Sequence, residues 1–169
     1  MNVAPESAAR GTVHLLCGLP GSGKTTFARR LAVERSAVLV NADERMIARH
    51  GTNPPAKEFA AFAAAIFEEL WGETAQHVAV GRDVILDWGF WSRADRDRAR
   101  QRVVATGATA KLYWVRCSDE IARSRTLERT AAMKAGALEI NGAAWDLFRT
   151  KFEPPGLDEM AAQIDGTAL

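Results

Sequence analysis

A glycine-rich segment near the N-terminus limits the possible folds of this chain more than any other feature. A mostly apolar run that ends at Cys17 leads into Gly-Leu-Pro-Gly-Ser-Gly-Lys-Thr at residues 18–25, and an amphipathic run begins at Phe27. The spacing Gly-x-x-x-x-Gly-Lys-Thr between a strand-like and a helix-like run predicts the strand, loop and helix of a phosphate-binding loop, or P-loop. A chance match in an ordinary glycine turn is the alternative, and the flanking runs argue against it.

The residue types in this loop suit a polyphosphate ligand. Glycines at 18, 21 and 23 allow successive N–H groups to turn towards an anion, and the N-terminus of the following helix carries partial positive charge. Lys24 is expected to reach the β- and γ-phosphates, and the Thr25 hydroxyl to be a ligand of Mg²⁺. The residues predicted to contact the nucleotide are Gly18, Leu19, Pro20, Gly21, Ser22, Gly23, Lys24, Thr25 and Thr26.

Length and charge restrict the remaining possibilities. The 169 residues suffice for one continuous core, so we expect a single domain over residues 1–169 in which residues 1–10 form a flexible leader. The 22 basic and 21 acidic residues provide no general attraction for a long nucleic acid or a membrane surface. No run is long and apolar enough to cross a bilayer, and no signal sequence is visible, so a cytoplasmic location is expected. Cys17 and Cys117 are predicted to pack in the core.

Strand-like and helix-like runs alternate along the chain. The predicted strands are residues 12–17, 37–40, 83–86, 110–115 and, more weakly, 162–164; the predicted helices are residues 24–34, 57–80, 94–106, a segment from 118, and 143–152. This order predicts an α/β, three-layer P-loop fold with a parallel sheet of four to five strands and helices on both faces. Because ligands bind beyond the carboxyl ends of such strands, the loop at 18–25, Asp43, Asp87 and the segment after residue 115 should converge.

Three further segments carry a family resemblance. They are Asn-Ala-Asp-Glu-Arg at 41–45, Leu-Asp-Trp-Gly-Phe-Trp-Ser-Arg at 86–93 and Phe-Glu-Pro-Pro at 152–155. Together with the P-loop, they make the chain from residue 12 to about 159 resemble small bacterial P-loop kinases of the zeta-toxin-like group, which are related to chloramphenicol phosphotransferase and to the kinase domain of polynucleotide kinases. The resemblance implies an ATP-dependent phosphotransferase with ATP and Mg²⁺ as its cofactors.

The resemblance also implies catalytic residues beside Lys24. Asp43 matches the acidic residue that acts as general base after the second strand, although an N-cap role for it stays open. The arginine that follows this aspartate in the family is most closely matched by Arg45. Residues 123–140 match the lid, where Arg125 and Arg129 fit the phosphate-binding arginines. A solvated helix face is the other interpretation of these lid arginines.

The acceptor side of the site is predicted from the 86–93 segment. Asp87 is expected to contact the metal or the substrate, or else to cap a turn. Trp88 is a candidate wall for a flat or apolar acceptor, and core packing is its alternative. Arg93 and Arg96 are candidates for acceptor or phosphate contacts, and for Arg96 a solvated helix face is the alternative. Glu153 either lines the base pocket or ends a helix.

Three functions are compatible with these patterns. The leading prediction is transfer of the γ-phosphate of ATP to a hydroxyl of a small-molecule acceptor. A nucleic-acid 5′-hydroxyl kinase is the second, although the chain lacks a basic stripe with interleaved aromatic residues. An ATPase or nucleotide switch is the third, although the strand that ends at Asp87 lacks paired acidic residues. The sequence gives no indication of the oligomeric state.

Overall fold

The protein is described by a computed structural model over residues 10–132 and 137–169. Residues 1–9 of the predicted leader and residues 133–136 of the predicted lid lie outside the described residues. No helix in the described ranges combines the length and the apolar character needed to span a membrane.

A five-stranded parallel sheet is the centre of the fold, and its order is β2-β3-β1-β4-β5. The strands are β1 (Thr12–Cys17), β2 (Val38–Asn41), β3 (Val84–Gly89), β4 (Thr109–Arg116) and β5 (Ala162–Asp165). Leu15 of β1 pairs with Leu86 of β3 on one side and with Leu112 of β4 on the other. The P-loop therefore leaves the sheet from its central strand, with β3 beside it.

Six α-helices connect these strands in the described part of the chain. They are α1 (Lys24–Arg35), α2 (Ala42–His50), α3 (Ala56–Ala79), α4 (Arg93–Ala105), α5 (Asp119–Ala131) and α6 (Gly142–Lys151). Short 3₁₀ turns at Leu157–Glu159 and Gly166–Ala168 flank β5. Ser92 caps α4 by accepting a hydrogen bond from the Asp95 N–H, as the sequence predicted.

The two faces of the sheet bury different helices because side chains alternate along each strand. Val84 and Leu86 of β3 pack with residues of α2, α3 and α4, whereas Ile85 between them packs with α1 on the other face. Helices on both faces make the three layers, and the predicted α/β fold class is confirmed. Cys17 is buried in the first of these clusters, and burial raises the pKa of its thiol to about 11, whereas Cys117 is half-buried just beyond β4.

The boundaries of the elements differ little from the prediction, with one consequence for the site. β3 continues to Gly89, three residues beyond its predicted end. Asp87 is therefore a strand residue, paired in register with Asn41 of β2, and does not cap a turn.

Candidate active site

The P-loop has the backbone geometry that the sequence predicted. Gly18, Gly21 and Gly23 all have positive φ angles, which side chains strongly disfavour. At Gly21 a side chain is also excluded by packing, because a Cβ there would lie 2.0 Å from the carbonyl oxygen of Ala122 in α5. The start of α5 is thus packed directly on the loop, and α1 begins immediately after Gly23.

Two tryptophan side chains donate hydrogen bonds to backbone carbonyl groups of the P-loop. Trp91 Nε1 donates to the Gly18 carbonyl at 3.1 Å, and Trp145 Nε1 in α6 donates to the Pro20 carbonyl at 3.1 Å. Phe148 of α6 contacts the Trp91 ring, with the ring centroids 4.7 Å apart. The loop is therefore anchored both to the segment between β3 and α4 and to the helix that follows the lid. The sequence contains no local signal for the Trp145 contact, since 125 residues separate the two partners.

Lys24, Thr25 and Asp87 meet at the carboxyl end of the central strands. The Lys24 ammonium donates to the Leu19 carbonyl at 2.9 Å, and Thr25 Oγ1 donates to Asp87 Oδ2 at 2.7 Å. Asn41 Nδ2 donates to the same Asp87 oxygen at 2.9 Å. Asn41 is a site residue to which sequence reasoning assigned no role, and its position directly after the predicted strand at 37–40 is the signal that was available.

Burial controls the ionisation of this cluster. It lowers the pKa of Lys24, and the charges of Asp87 and Asp43 oppose that shift. Burial also raises the pKa of Asp87, and the Lys24 charge opposes it. The charges of Lys24 and Asp87 therefore stabilise each other.

Asp43 lies in the same cleft, and its pKa is also raised. Although its side chain still reaches solvent through the open cleft, burial and then the charge of Asp87 raise its pKa to about 6, against the opposing charges of Lys24 and Arg129. The N-cap alternative for Asp43 is wrong, because Asn41 is the N-cap of α2 and accepts a hydrogen bond from the Glu44 N–H. Asp43 is thus left free of a capping role within the first turn of α2.

The two predicted lid arginines have different surroundings although they share a face of α5. The charge of Arg129 acts on both Asp43 and Lys24, and its Nε is buried without a hydrogen-bond partner among the described residues. Arg125 instead donates to the backbone carbonyls of Gly166 and Thr167 at 2.7 and 3.1 Å. The structure therefore places Arg129 with the cleft residues and Arg125 against the C-terminal turn.

The oxygen atoms beside the P-loop fit a magnesium ion. The Thr25 hydroxyl and the Asp87 carboxylate are hard donors 2.7 Å apart. In the described part of the chain no three His, Cys, Asp or Glu side chains are clustered so that they could hold a metal on their own. This donor set suits Mg²⁺, which is usually held by one or two protein oxygens together with nucleotide phosphates and waters.

On the acceptor side, Trp88 belongs to an aromatic cluster. Its ring contacts Phe67 and Trp71 of α3 and Phe90, with centroids 5.1, 5.0 and 5.5 Å away. Trp88 is nevertheless only half-buried, and it directly follows Asp87 in the strand. The structure thus gives Trp88 a packing role, and its ring Nε1 is buried without a hydrogen-bond partner among the described residues.

The arginines of α4 are not placed as the sequence suggested. Arg93 pairs with Asp97 and Asp158, and its backbone N–H is bound by the Glu153 carboxylate. Both interpretations of Arg96 are wrong, because it is fully buried and paired with Glu159. Glu153 is likewise engaged at the start of α4.

The structure brings together Lys24, Thr25, Asp43, Asp87 and Arg129 from four segments of the chain. Arg93 and Arg125 are engaged elsewhere, and Arg45, which the resemblance suggested as a phosphate contact, forms ion pairs with Glu69 and Glu73 of α3. The convergence at the carboxyl edge of the sheet follows from the parallel topology.

Comparison with known proteins agrees with this architecture. A shikimate kinase of Paramagnetospirillum magneticum is 30% identical over 128 residues, and the alignment covers 75% of this chain but only 63% of that enzyme. A solved structure of a candidate kinase from Chloroflexus aurantiacus superposes with a TM-score of 0.75 at 20% identity, covering 95% of this chain and 87% of that one. Kti12 of Chaetomium thermophilum, solved in complex with ADP-AlF3, gives a TM-score of 0.69 at 20% identity, covering 90% and 88% of the two chains. A family model described as an AAA domain matches residues 13–155, and the chain therefore belongs to this AAA domain family.

Proposed function

We propose that this protein is a kinase that transfers the γ-phosphate of ATP to a hydroxyl group of a small-molecule acceptor. The observation that carries the proposal is the meeting of Lys24, Asp43 and Arg129 beside the Thr25–Asp87 pair. Two cations beside a P-loop suit a polyphosphate, and a carboxylate of raised pKa suits a proton acceptor near neutral pH.

In the proposed reaction Asp43 takes the proton of the acceptor hydroxyl as its oxygen attacks the γ-phosphorus. The bond between that phosphorus and the β–γ bridging oxygen breaks, and ADP leaves with the electron pair. Lys24 and Arg129 stabilise the charge on the transferring group, since both cations are positioned at the cleft before the step. Mg²⁺, held by Thr25 and Asp87, would neutralise phosphate charge when bound.

The similarity to a shikimate kinase supports a small hydroxyl compound as the acceptor. We also propose the closer relationship to the zeta-toxin-like group, ATP as the donor, a cytoplasmic location and the absence of a long nucleic-acid partner. The near balance of 22 basic and 21 acidic residues supports the last point.

The test is a mass-spectrometric screen of metabolite pools incubated with the protein, Mg²⁺ and ATP, followed by kinetics on each phosphorylated compound. Asp43→Asn is expected to lower kcat roughly 10²–10⁴-fold with little change in ATP affinity. Glu34→Gln is the matched control, because Glu34 is an exposed carboxylate of α1 that pairs with Arg30 in the same helix. Rapid ATP hydrolysis that no acceptor stimulates would contradict the proposal and favour an ATPase. Strongly salt-sensitive phosphorylation of oligonucleotide 5′ ends would favour the nucleic-acid kinase.

A further inference from the structure

Asn41 lies between the Asp87 carboxylate and the first turn of α2, and it contacts both. In the context of the kinase function proposed above, on which this inference rests, we infer that Asn41 is a positioning residue for the Mg²⁺ site. Its side-chain amide fixes the orientation of the Asp87 carboxylate and links that carboxylate to the helix that carries Asp43. The inference depends on the contacts of this one side chain and on how the other helices are capped.

The backbone of Asn41 belongs to a strand and to a helix at once. Asn41 is the last residue of β2, where it pairs in register with Asp87 of β3. It is also the N-cap of α2, which begins at the next residue and has Asp43 as its second residue. The start of α2 is therefore fixed relative to Asp87 through Asn41.

The side-chain amide of Asn41 is hydrogen-bonded at both of its ends. Its Oδ1 accepts the Glu44 N–H at 2.9 Å, and its Nδ2 donates to Asp87 Oδ2 at 2.9 Å. The capping contact requires an acceptor, because a backbone N–H can only donate. The amide nitrogen is therefore the atom that faces Asp87, and the two partners together determine the orientation of the amide group.

Two donors from different elements hold the same oxygen of Asp87. Thr25 Oγ1, at the start of α1, donates to Oδ2 at 2.7 Å, and Asn41 donates to this atom from β2. The terminal torsion of an aspartate side chain has a broad distribution, so one hydrogen bond would leave the carboxylate free to rotate. With both donors on Oδ2, the carboxylate is fixed and Oδ1 remains available to a ligand. Asn41 thus acts on the metal site through Asp87.

Helix capping alone does not account for an asparagine at this position. Ser92 and Ser118 cap α4 and α5, and each accepts a backbone N–H through its hydroxyl oxygen. Asn141 caps α6 through its Oδ1, and its amide nitrogen donates to no other group in the described part of the chain. Asn41 differs from these residues because its amide nitrogen reaches the buried Asp87 carboxylate. The amide donor is therefore the property that a serine cap would not supply.

The test measures Mg²⁺ binding by calorimetry in the presence of a non-hydrolysable ATP analogue. Asn41→Ser keeps a capping oxygen and removes the amide donor to Asp87. We expect the apparent dissociation constant of Mg²⁺ to rise about tenfold in this variant, because the hydrogen-bond partners of metal ligands typically contribute roughly 10–100-fold to metal affinity. The affinity for the analogue without Mg²⁺ should be unchanged, since the P-loop itself is intact.

Two further variants separate the amide donor from the cap. Asn41→Asp keeps the shape of the side chain and a capping oxygen, but it replaces the amide donor with an acceptor. Its Mg²⁺ affinity should fall at least as far as that of Asn41→Ser. Asn141→Ser is the matched control, because it makes the same chemical change at a cap that contacts no carboxylate among the described residues. It should bind Mg²⁺ as the wild-type protein does.

Unchanged Mg²⁺ affinity in Asn41→Ser, or wild-type affinity in Asn41→Asp, would overturn the inference, because a capping oxygen alone would then be sufficient. An equal loss in Asn141→Ser would also overturn it by assigning the effect to capping. The same conclusion would follow if Mg²⁺ did not strengthen binding of the analogue to the wild-type protein. The kinase function is tested separately, because binding is measured without transfer. The expected Mg²⁺ affinities in a protein that phosphorylates no acceptor would support the role of Asn41 and contradict the kinase function.

Discussion

Arg96 is the residue whose replacement should damage the fold most among the arginines of α4. It is 0% exposed, and its Nε and Nη2 atoms donate to the two Glu159 oxygens at 2.7 and 2.8 Å. Its Nη1 atom donates to the backbone carbonyls of Phe90, Trp91 and Glu153. One buried side chain thereby joins α4, the segment that holds Trp91 against the P-loop, and the 3₁₀ turn at Leu157–Glu159.

Arg96→Met would keep an unbranched, mostly apolar side chain and remove all of these donors. Glu159 would retain the Arg100 contact at 2.8 Å and the Gly156 N–H at 3.0 Å, while three carbonyl groups would lose a donor. Removing one partner of a buried ion pair typically costs about 3–5 kcal/mol. We expect the free energy of unfolding to fall by that amount, which is a large share of the total of about 5–15 kcal/mol for a typical domain.

The assay is urea unfolding followed by tryptophan fluorescence at neutral pH. Arg98→Met is the matched control, because Arg98 lies in the same helix, is 68% exposed and pairs only with Asp95 among the described residues. Its expected cost is below about 1 kcal/mol. If the free energies of unfolding of Arg96→Met and Arg98→Met differed by less than about 1 kcal/mol, the reasoning would be wrong. The reasoning would be supported if the urea unfolding curve of Arg96→Met had no folded baseline while Arg98→Met folded.

The same contacts predict a pH dependence of stability. Hydrogen bonds from Arg96 and then Arg100 lower the pKa of Glu159 from 4.5 to about 2, despite its burial. Because the folded-state pKa is below the unfolded one, the stabilisation is fully present above about pH 4.5 and is lost as the pH falls towards 2. A shift of this size corresponds to about 3 kcal/mol. In Glu159→Gln the free energy of unfolding should depend less on pH over this interval. If its pH dependence were the same as in the wild-type protein, Glu159 would not be the group responsible.

Four further predictions concern the site. Lys24→Ala should abolish transfer and greatly weaken ATP binding with an unchanged circular dichroism spectrum, and normal turnover would refute the P-loop role. Since the pKa of Asp43 is about 6, kcat/KM should be level above that pH and fall about tenfold per unit below it; a profile that keeps this slope in Asp43→Asn would assign it to another group. Arg129→Ala should lower mainly kcat, which is measured with saturating ATP, and full retention of kcat would make Arg129 a surface residue. Trp145→Phe, which leaves the Pro20 carbonyl without its donor, should raise the KM for ATP about fivefold in steady-state kinetics; lower stability at unchanged KM would reduce Trp145 to a packing role.

Local patterns in the sequence were sufficient for the architecture and for the nucleotide loop. The strand at residues 12–17 was predicted with its observed bounds, and the weak signal at 162–164 corresponds to β5. The strands were predicted from the period of apolar side chains, and the nucleotide loop was predicted from its glycine spacing. Each of these patterns extends over only a few residues. The same is true of the convergence of Lys24 and Asp87, because a parallel α/β order sends all strand ends to one edge.

Contacts between distant segments decided the rest of the site. Arg96 lies among alternating charges that indicate a solvated helix face, and its burial depends on Glu159, 63 residues away. Trp145 and Pro20 are likewise joined only by folding, and nothing near Arg125 or Arg129 in the sequence distinguishes the arginine that reaches the cleft from the one held by the C-terminal turn. A side chain's partner, and therefore its ionisation and its availability to a ligand, depends on which segments pack around it. That information is absent from local spacing and is present only in the tertiary structure.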